Sequence, residues 1–143
     1  MKALLILLTL ASVCYGRLGE TLDECKARYG KPVKVEKTQA GLPRYFFKKN
    51  NFEIAVVIYQ KKAASIEYLE RSKDGKAVEM NRGTVVSLRD KNCPGVRWLN
   101  IGDKDGTEWI HKDYWIDYSD NVLLIMTGEY ALKILGDGKT EGL

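Results

Sequence analysis

The feature that most constrains the fold is the alternation within PRYFFKKNNFEIAVVIYQKKAASIEYLERS, which begins at Pro43. Apolar residues occupy every second position from Phe52 to Ile58, the spacing of one face of a β-strand. The intervening positions also become apolar by Val57, which predicts a strand in the middle of a sheet. Asn50-Asn51 suits the turn before that strand, because asparagine tolerates left-handed backbone conformations.

This stretch predicts a three-stranded antiparallel meander. We expect its strands at Arg44–Lys48, Phe52–Tyr59 and Ser65–Arg71, with a turn over Lys61–Ala64 and an edge strand over Val33–Lys37. A second meander follows further along the chain. Its predicted strands are Thr107–His111, Tyr114–Tyr118 and Val122–Thr127.

The stretch GETLDECKARYGKP before the first meander predicts a capped helix. Thr21 and Glu24 have the spacing of a capping box, in which each side chain bonds the other residue's backbone N–H. Cys25 and Tyr29 lie on one face with Leu22, at i, i+3 and i+7. A glycine and a proline then end the helix. These conspicuous residues therefore have structural roles.

Two further helices are predicted, a short one within Met80–Lys91 and a final one over Tyr130–Leu135. The predicted fold class is α+β, an antiparallel sheet of two meanders with one or two short helices packed on one face. Each half of the chain offers an amphipathic helix followed by a meander. This order suggests a diverged duplication, although no residue-level repeat is evident.

The N-terminal sequence MKALLILLTLASVCYG has the layout of a secretory signal peptide, with Lys2, a short apolar run and small residues. We predict a signal over residues 1–16, a single domain over 17–135 and a mobile tail over 136–143. Cys14 also suggests a lipid anchor, but Val13 fits poorly before such a cysteine, which argues against one. The predicted localisation is secreted or periplasmic, and no later stretch is apolar enough to span a membrane.

The charge balance does not indicate nucleic-acid binding. Without Lys2, 22 basic and 19 acidic residues are left. The densest basic pairs, Lys48-Lys49 and Lys61-Lys62, fall at successive turns and so at opposite ends of the sheet. Nucleic-acid binding usually needs one concentrated basic face.

The pattern of Gly19, Thr21, Cys25, Gly30 and Pro32 resembles the opening of the outer-membrane assembly lipoproteins of the BamE/SmpA type. It is also similar to the start of small secreted bacterial proteins in which an E-C-x3-Y-G-x-P run precedes a sheet. The resemblance implies an envelope or secreted context and a domain with a helix on a sheet. It implies no binding residue.

Two cysteines, Cys25 and Cys93, follow the predicted signal. An even number in an exported chain predicts one disulfide. The alternative is a pair of buried thiols that pack as small apolar residues.

The sequence has few residues in an arrangement that indicates catalysis. His111 is the one histidine of the sequence, and it lies at a predicted strand end beside Asp113. Asp113, Asp117 and Asp120 cluster in one stretch, so a small secreted hydrolase using carboxylates or His111 is the alternative function. One histidine and two widely separated cysteines do not supply the three or four ligands that a zinc site needs. The stretch DKDGTE, which begins at Asp103, matches a calcium-binding loop only in part. We expect no metal or other cofactor.

The segment EWIHKDYWIDYSD concentrates aromatic residues that carry a polar atom. Such residues favour ligand and partner surfaces, and they also pack beneath helices. If they share one sheet face, they form a platform for a protein, peptide or glycan. The candidate binding residues are therefore Trp109, His111, Tyr114, Trp115 and Tyr118. The predicted function is an exported, non-enzymatic binding or structural domain.

Overall fold

The computed structural model describes residues 17–102 and 107–136. Within these ranges the chain forms three helices and a single eight-stranded sheet. The predicted signal peptide, Cys14 and the tail beyond residue 136 lie outside them. In chain order the elements are α1 (Leu22–Tyr29), β1 (Lys34–Lys37), β2 (Pro43–Lys49), β3 (Phe52–Tyr59), β4 (Lys62–Glu70), α2 (Arg82–Asn92), β5 (Leu99–Asn100), β6 (Glu108–His111), β7 (Tyr114–Ser119), β8 (Val122–Thr127) and α3 (Gly128–Gly136).

The strands follow the order β1-β2-β3-β4-β8-β7-β6-β5, and every neighbouring pair is antiparallel. Two four-stranded meanders therefore meet through their last strands, with Ile66 of β4 opposite Ile125 of β8. The predicted α+β class and the central position of β3 are confirmed. We call α1 to β4 the first half and α2 to β8 the second half.

The predicted turn over Lys61–Ala64 is wrong. Gln60 and Lys61 form a two-residue turn with positive φ, and β4 begins at Lys62. Ala63 and Ala64 belong to that strand and are 1% and 4% exposed. Small buried residues at a strand start explain the error, since they lack the alternation that marks the rest of the strand.

One face of the sheet, the two-helix face, packs against α1 and α2. Strand alternation directs every second side chain to this face. The resulting core joins both halves. Its strand residues include Phe47, Ile54, Val56, Ile66, Tyr68, Ile116, Leu123 and Ile125, all at most 3% exposed.

The opposite face, the α3 face, packs against α3. Tyr130 and Ile134 of that helix cluster with Val57, Ala64 and Met126. Helices α1 and α2 share one face as predicted, whereas the final helix lies on the other. The two-helix face is already covered by α1 and α2, so α3 packs on the face that they leave open.

The predicted capping box is present at α1. The Glu24 N–H donates to Thr21 Oγ1 at 3.3 Å, and the Thr21 N–H donates to Glu24 Oε2 at 2.7 Å. Gly30 follows the helix with φ 93°, a left-handed value that favours glycine. The second predicted helix also forms, with Asn81 as its N-cap.

A buried polar network links both helices to β4. The Tyr68 hydroxyl lies 2.9 Å from the Tyr29 hydroxyl, accepts from Arg17 at 3.1 Å and accepts from Asn92 Nδ2 at 3.2 Å. Asn92 also donates to the Leu88 carbonyl at 2.7 Å. Because buried polar groups need partners, this network stabilises the position of both helices on one strand.

Candidate binding groove

The aromatic segment does not form one platform, because strands β6 and β7 distribute it over both faces. Trp109, Tyr114 and Tyr118 pack with the core of the two-helix face. Trp115 lies on the α3 face and packs with its cluster. His111 lies at the end of β6, where the hairpin leads into Tyr114.

Two of the candidate residues support the core. Trp109 is 5% exposed, and the Arg89 guanidinium carbon lies 5.3 Å from its ring centroid. The Tyr118 hydroxyl accepts a hydrogen bond from the Met80 N–H at 2.7 Å. Burial raises the pKa of Tyr118, so this phenol stays protonated at neutral pH.

His111 belongs to a small aromatic cluster. Its ring stacks on Tyr114 at a centroid distance of 5.9 Å and an interplanar angle of 23°, and Trp98 meets it edge-on at 6.4 Å. Its Nδ1 accepts from the Asp113 N–H at 3.3 Å and lies 3.8 Å from Asp113 Oδ2. The side chain is 25% exposed, so its contacts are mainly with neighbouring rings and the hairpin turn.

A groove of about 950 Å³ lies between α3 and strands β6 and β7. We call it the α3 groove. Four of its apolar lining residues are exposed, a large apolar surface for one site. They are Ile101 at 47%, Ile110 at 39%, Leu132 at 73% and Leu135 at 60%.

Candidate residues Trp115, Tyr114 and His111 also line the groove. The Trp115 indole Nε1–H donates to Glu108 Oε1 at 2.8 Å, which fixes the orientation of the ring. Where α3 begins, Gly128 donates to the Asp113 carbonyl at 2.8 Å. A side chain at Gly128 would meet the backbone carbonyl carbon of Asp113 at 3.4 Å. The helix and the β6–β7 turn therefore approach closely at this end.

Charges around the groove are mixed in sign. Lys112, Asp113, Glu108 and Glu129 all border it. Glu129 accepts from Gln60 Nε2 at 2.9 Å, and Lys112 Nζ lies 3.9 Å from Asp113 Oδ2. The groove thus combines an apolar interior with a polar rim that carries three acidic side chains and one basic side chain.

The three candidate aspartates do not converge. Asp117 and Asp120 line a separate cleft of about 210 Å³ on the α3 face, whereas Asp113 borders the α3 groove. Arg44 and Glu67 form an ion pair at that cleft. Asp117 Oδ2 accepts from the Ser119 hydroxyl at 2.6 Å.

Cys25 and Cys93 are both buried and free, so the structure does not contain the predicted disulfide. Burial raises the pKa of Cys25 to about 11 and that of Cys93 to about 12. At neutral pH both groups are thiols, and the nucleophilic species is the thiolate. The structure thus matches the alternative of two small apolar core residues.

The calcium-like stretch that begins at Asp103 lies mostly outside the described residues. Among those that are described, no group of three or more histidine, cysteine or acidic side chains is placed to hold a metal ion. No helix in the same ranges is long and apolar enough to cross a membrane.

No protein-family model and no curated protein matches the chain. Two solved structures share its fold. One is an extracellular protein containing an SCP domain from Bacillus anthracis, with a TM-score of 0.51 and 12% identity over 81% of this chain. The other is a cysteine-rich secretory protein from Staphylococcus aureus, with a TM-score of 0.52 and 13% identity over 83% of this chain. The match spans 46% of each of those proteins.

These neighbours overturn the resemblance to the BamE/SmpA-type lipoproteins, which is wrong. That family places two consecutive helices before its sheet, whereas α1 here leads directly into β1. The shared pattern from Gly19 to Pro32 reflects a capped helix that ends at a glycine, a local solution that unrelated folds can reach.

Sequence reasoning missed the exposed leucines of the groove. The segment from Gly128 to Gly136 is apolar on more than one side: Tyr130 and Ile134 face the sheet, and Leu132 and Leu135 face outward. A surface helix normally has one apolar stripe and an opposite polar face. The apolar residues on both sides of α3 were therefore the available signal.

Proposed function

We propose that this protein is an exported, non-enzymatic domain that binds an extended apolar segment of a partner protein in the α3 groove. The observation that carries the proposal is the convergence of exposed apolar side chains in one concave site. Leu132 and Leu135 from α3 face the same groove as Ile101, which follows β5, and Ile110 of β6. Burying such surface is worth about 25 cal/mol per Å².

An extended segment suits the groove because β5 lies beside it and, within the described part of the chain, pairs only with β6. The Ile101 N–H donates to the Glu108 carbonyl at 3.1 Å. Since the bonding direction alternates along an antiparallel strand, the N–H and C=O of Asn100 point away from β6. A bound strand that pairs there can place alternate side chains toward Ile110.

The candidate aromatic residues then divide by role. Trp115 supplies an oriented ring to the groove, and Tyr114 and His111 lie at its hairpin end. Trp109 and Tyr118 support these strands from the two-helix face. We infer that the binding site uses Trp115 directly, whereas His111 and Tyr114 border its hairpin end and direct their rings to the two-helix face.

Export is supported by the N-terminal sequence and by the fold, which is shared with an extracellular and a secretory protein. The domain boundary is also consistent with cleavage after Gly16. Arg17, the next residue, already packs inward and donates to Tyr68 at 3.1 Å.

A binding role fits better than hydrolysis. The buried thiols are protonated at neutral pH, with pKa values of about 11 and 12 for Cys25 and Cys93. Asp113 borders a different site from Asp117 and Asp120. Asp117 and Asp120 do line one cleft together with Glu67. However, Arg44 pairs with Glu67 there, and Asp117 accepts from the Ser119 hydroxyl at 2.6 Å. Two of the three acidic groups at that cleft therefore already have partners within the chain.

Selection from a displayed library of random peptides of about 12 residues tests this proposal. We expect enriched peptides with alternating apolar residues. A labelled synthetic copy should bind the wild-type protein and lose at least about tenfold in affinity for Leu132→Glu. Val33→Glu is the matched control, because Val33 is 60% exposed at the opposite edge of the sheet. It should change the affinity by less than about twofold.

Two results would contradict the proposal. One is a selection that enriches no peptide. The other is an enriched peptide that binds Leu132→Glu as tightly as the wild type, which would place its site elsewhere.

A further inference from the structure

Strand β1 is the other outer strand of the sheet, and it differs from β5. All four of its residues are exposed, and among the described residues it pairs with β2 on one side alone. Val35 is 54% exposed, and Val33 just before the strand is 60% exposed. Lys34 and Glu36 alternate with the valines and form an ion pair. An edge of this kind invites pairing with another strand unless its charges prevent it.

The hydrogen-bond pattern shows which β1 groups are available. The Thr38 N–H donates to the Leu42 carbonyl at 2.8 Å, in register with the β1–β2 pairs. Because antiparallel bonding alternates, Glu36 and Lys34 also direct their N–H and C=O groups toward β2. Val35 and Lys37 direct theirs away from the sheet, toward any incoming strand.

We propose that β1 pairs antiparallel with β1 of a second copy of this chain, about a two-fold axis at Val35. Val35 then exchanges both backbone hydrogen bonds with Val35 of the second copy. Lys34 lies opposite Glu36 of the second copy, and Glu36 lies opposite its Lys34. Opposite charges at such positions stabilise a strand pair.

The other two-fold registers near Val35 all place identical charges opposite each other. An axis at Glu36 pairs Glu36 with itself, and an axis at Lys37 does the same for that residue. An axis at Lys34 pairs Lys34 with itself and also needs the Val33 N–H, which already donates to the Phe46 carbonyl at 2.7 Å. Like charges directly opposite are destabilising. The charge pattern therefore selects the register at Val35 and disfavours uncontrolled pairing.

The resulting interface repeats a contact already present inside the molecule. The halves join by antiparallel pairing of β4 with β8, and β1 pairing would extend the same sheet across two copies. A four-residue strand buries little surface, so the association is weak and needs high protein concentration. The α3 grooves of the pair would lie at the two distant ends of the extended sheet.

Charge reversal provides the test. Sedimentation velocity of the wild type from about 10 μM to about 1 mM should show the mass rise from one chain toward two. Lys34→Glu and Glu36→Lys should each remove this rise, because each places like charges opposite each other. An equimolar mixture of the two variants restores both opposite-charge pairs and should restore association.

Two further variants separate pairing from general effects. Val35→Pro removes an outward N–H that no β1–β2 bond uses, so it should keep the fold by circular dichroism and lose association. Lys76→Glu makes the same charge change at an exposed residue of the loop between β4 and α2 and should associate like the wild type. A wild type that remains one chain at about 1 mM would overturn the proposal. A mixture that fails to associate would overturn it as well.

Discussion

The two halves of the molecule have the same architecture, but the amino acids at corresponding positions are almost all different. Each is a helix followed by a four-stranded meander. In α1, Leu22, Cys25 and Tyr29 face the core, and in α2 the same i, i+3, i+7 spacing is occupied by Val85, Leu88 and Asn92. Tyr29 and Asn92, the last residues of the two series, both bond Tyr68. The spacing of core positions is therefore maintained where their chemistry differs.

The halves differ most at their outer strands. The first ends at β1, with alternating valines and charges. The second ends at the two-residue β5 and continues after β8 into α3, which provides a groove. A common scaffold thus presents an ordered polar edge on one side and an apolar site on the other. The proposed strand pairing depends on β1, and the proposed segment binding depends on α3 and its groove. Neither depends on the core that the two halves share.

The largest expected effect concerns the two cysteines, one in each half. Burial raises the pKa from an ordinary value of 9.0 to about 11 for Cys25 and about 12 for Cys93. At neutral pH the thiolate fraction falls by about 100-fold and about 1,000-fold respectively. Native-state alkylation by iodoacetamide, followed by mass spectrometry, should be slower than for a free thiol by at least these factors.

The control for this prediction is the denatured chain. Without reductant, both cysteines should then alkylate at ordinary rates. A reductant requirement would instead show that the exported protein forms the disulfide predicted from sequence, and fast alkylation of the native chain would show that one half is open to solvent.

A second prediction compares the halves where they meet. Ile66 and Ile125 lie opposite each other and are both fully buried. Replacing either with alanine should cost about 3 kcal/mol, roughly 150-fold in the unfolding constant. Urea unfolding should remain a single transition. Leu135→Ala, at a residue that is 60% exposed, should change stability by less than about 0.5 kcal/mol. Two separate transitions would mean that the halves fold independently.

A third prediction tests the network that joins the two helices. Tyr68→Phe removes the hydroxyl shared by Tyr29, Asn92 and Arg17, leaving buried polar groups with fewer partners. We expect a loss of about 2 kcal/mol in urea unfolding. Tyr59→Phe is the matched control on the α3 face, where Tyr59 packs by its ring at 6.2 Å from Tyr130. Equal losses in both variants would argue against a special role for the Tyr68 hydroxyl.

The smallest expected effect concerns an ion pair of the first half. A hydrogen bond from Arg71 at 2.8 Å holds the pKa of Glu53 below its ordinary value of 4.5. A lowered carboxyl pKa contributes stability above the ordinary value, and this stability is lost as the pH falls through the folded pKa. Because both side chains are about one-third exposed, solvent screening limits the contribution to about 0.5 kcal/mol.

Arg71→Gln should therefore destabilise the protein more at pH 7 than near pH 2, where the 3.4 Å hydrogen bond from Arg71 to the Gly75 carbonyl is still available. Urea unfolding at both pH values measures this difference. Lys31→Gln removes an exposed charge from the same half and should show no such pH dependence. An equal cost of Arg71→Gln at both pH values would mean that the arginine stabilises the fold through contacts other than its pair with Glu53, such as its hydrogen bond to the Gly75 carbonyl.

Much of the fold could be predicted because its signals are local. Alternation defines β3, and the capping box defines the start of α1. The turn at Gln60-Lys61 could not be placed, since neither residue is a typical left-handed turn former. The groove was missed for another reason. Leu132 and Leu135 form a groove only because β6 and β7 lie beside them. Whether these strands lie beside α3 depends on which face of the sheet the helix packs against.

The separate cluster beneath α3 has a consequence for how the molecule opens. Tyr130 and Ile134 are the buried residues of this helix, and they pack away from the core that unites the halves. Detaching α3 therefore leaves that larger core intact, so the helix can unfold as a local unit. Its amides should exchange hydrogen for deuterium well before those of the central strands. Each time α3 unfolds and refolds, the proposed binding groove would be lost and formed again while the sheet stays folded.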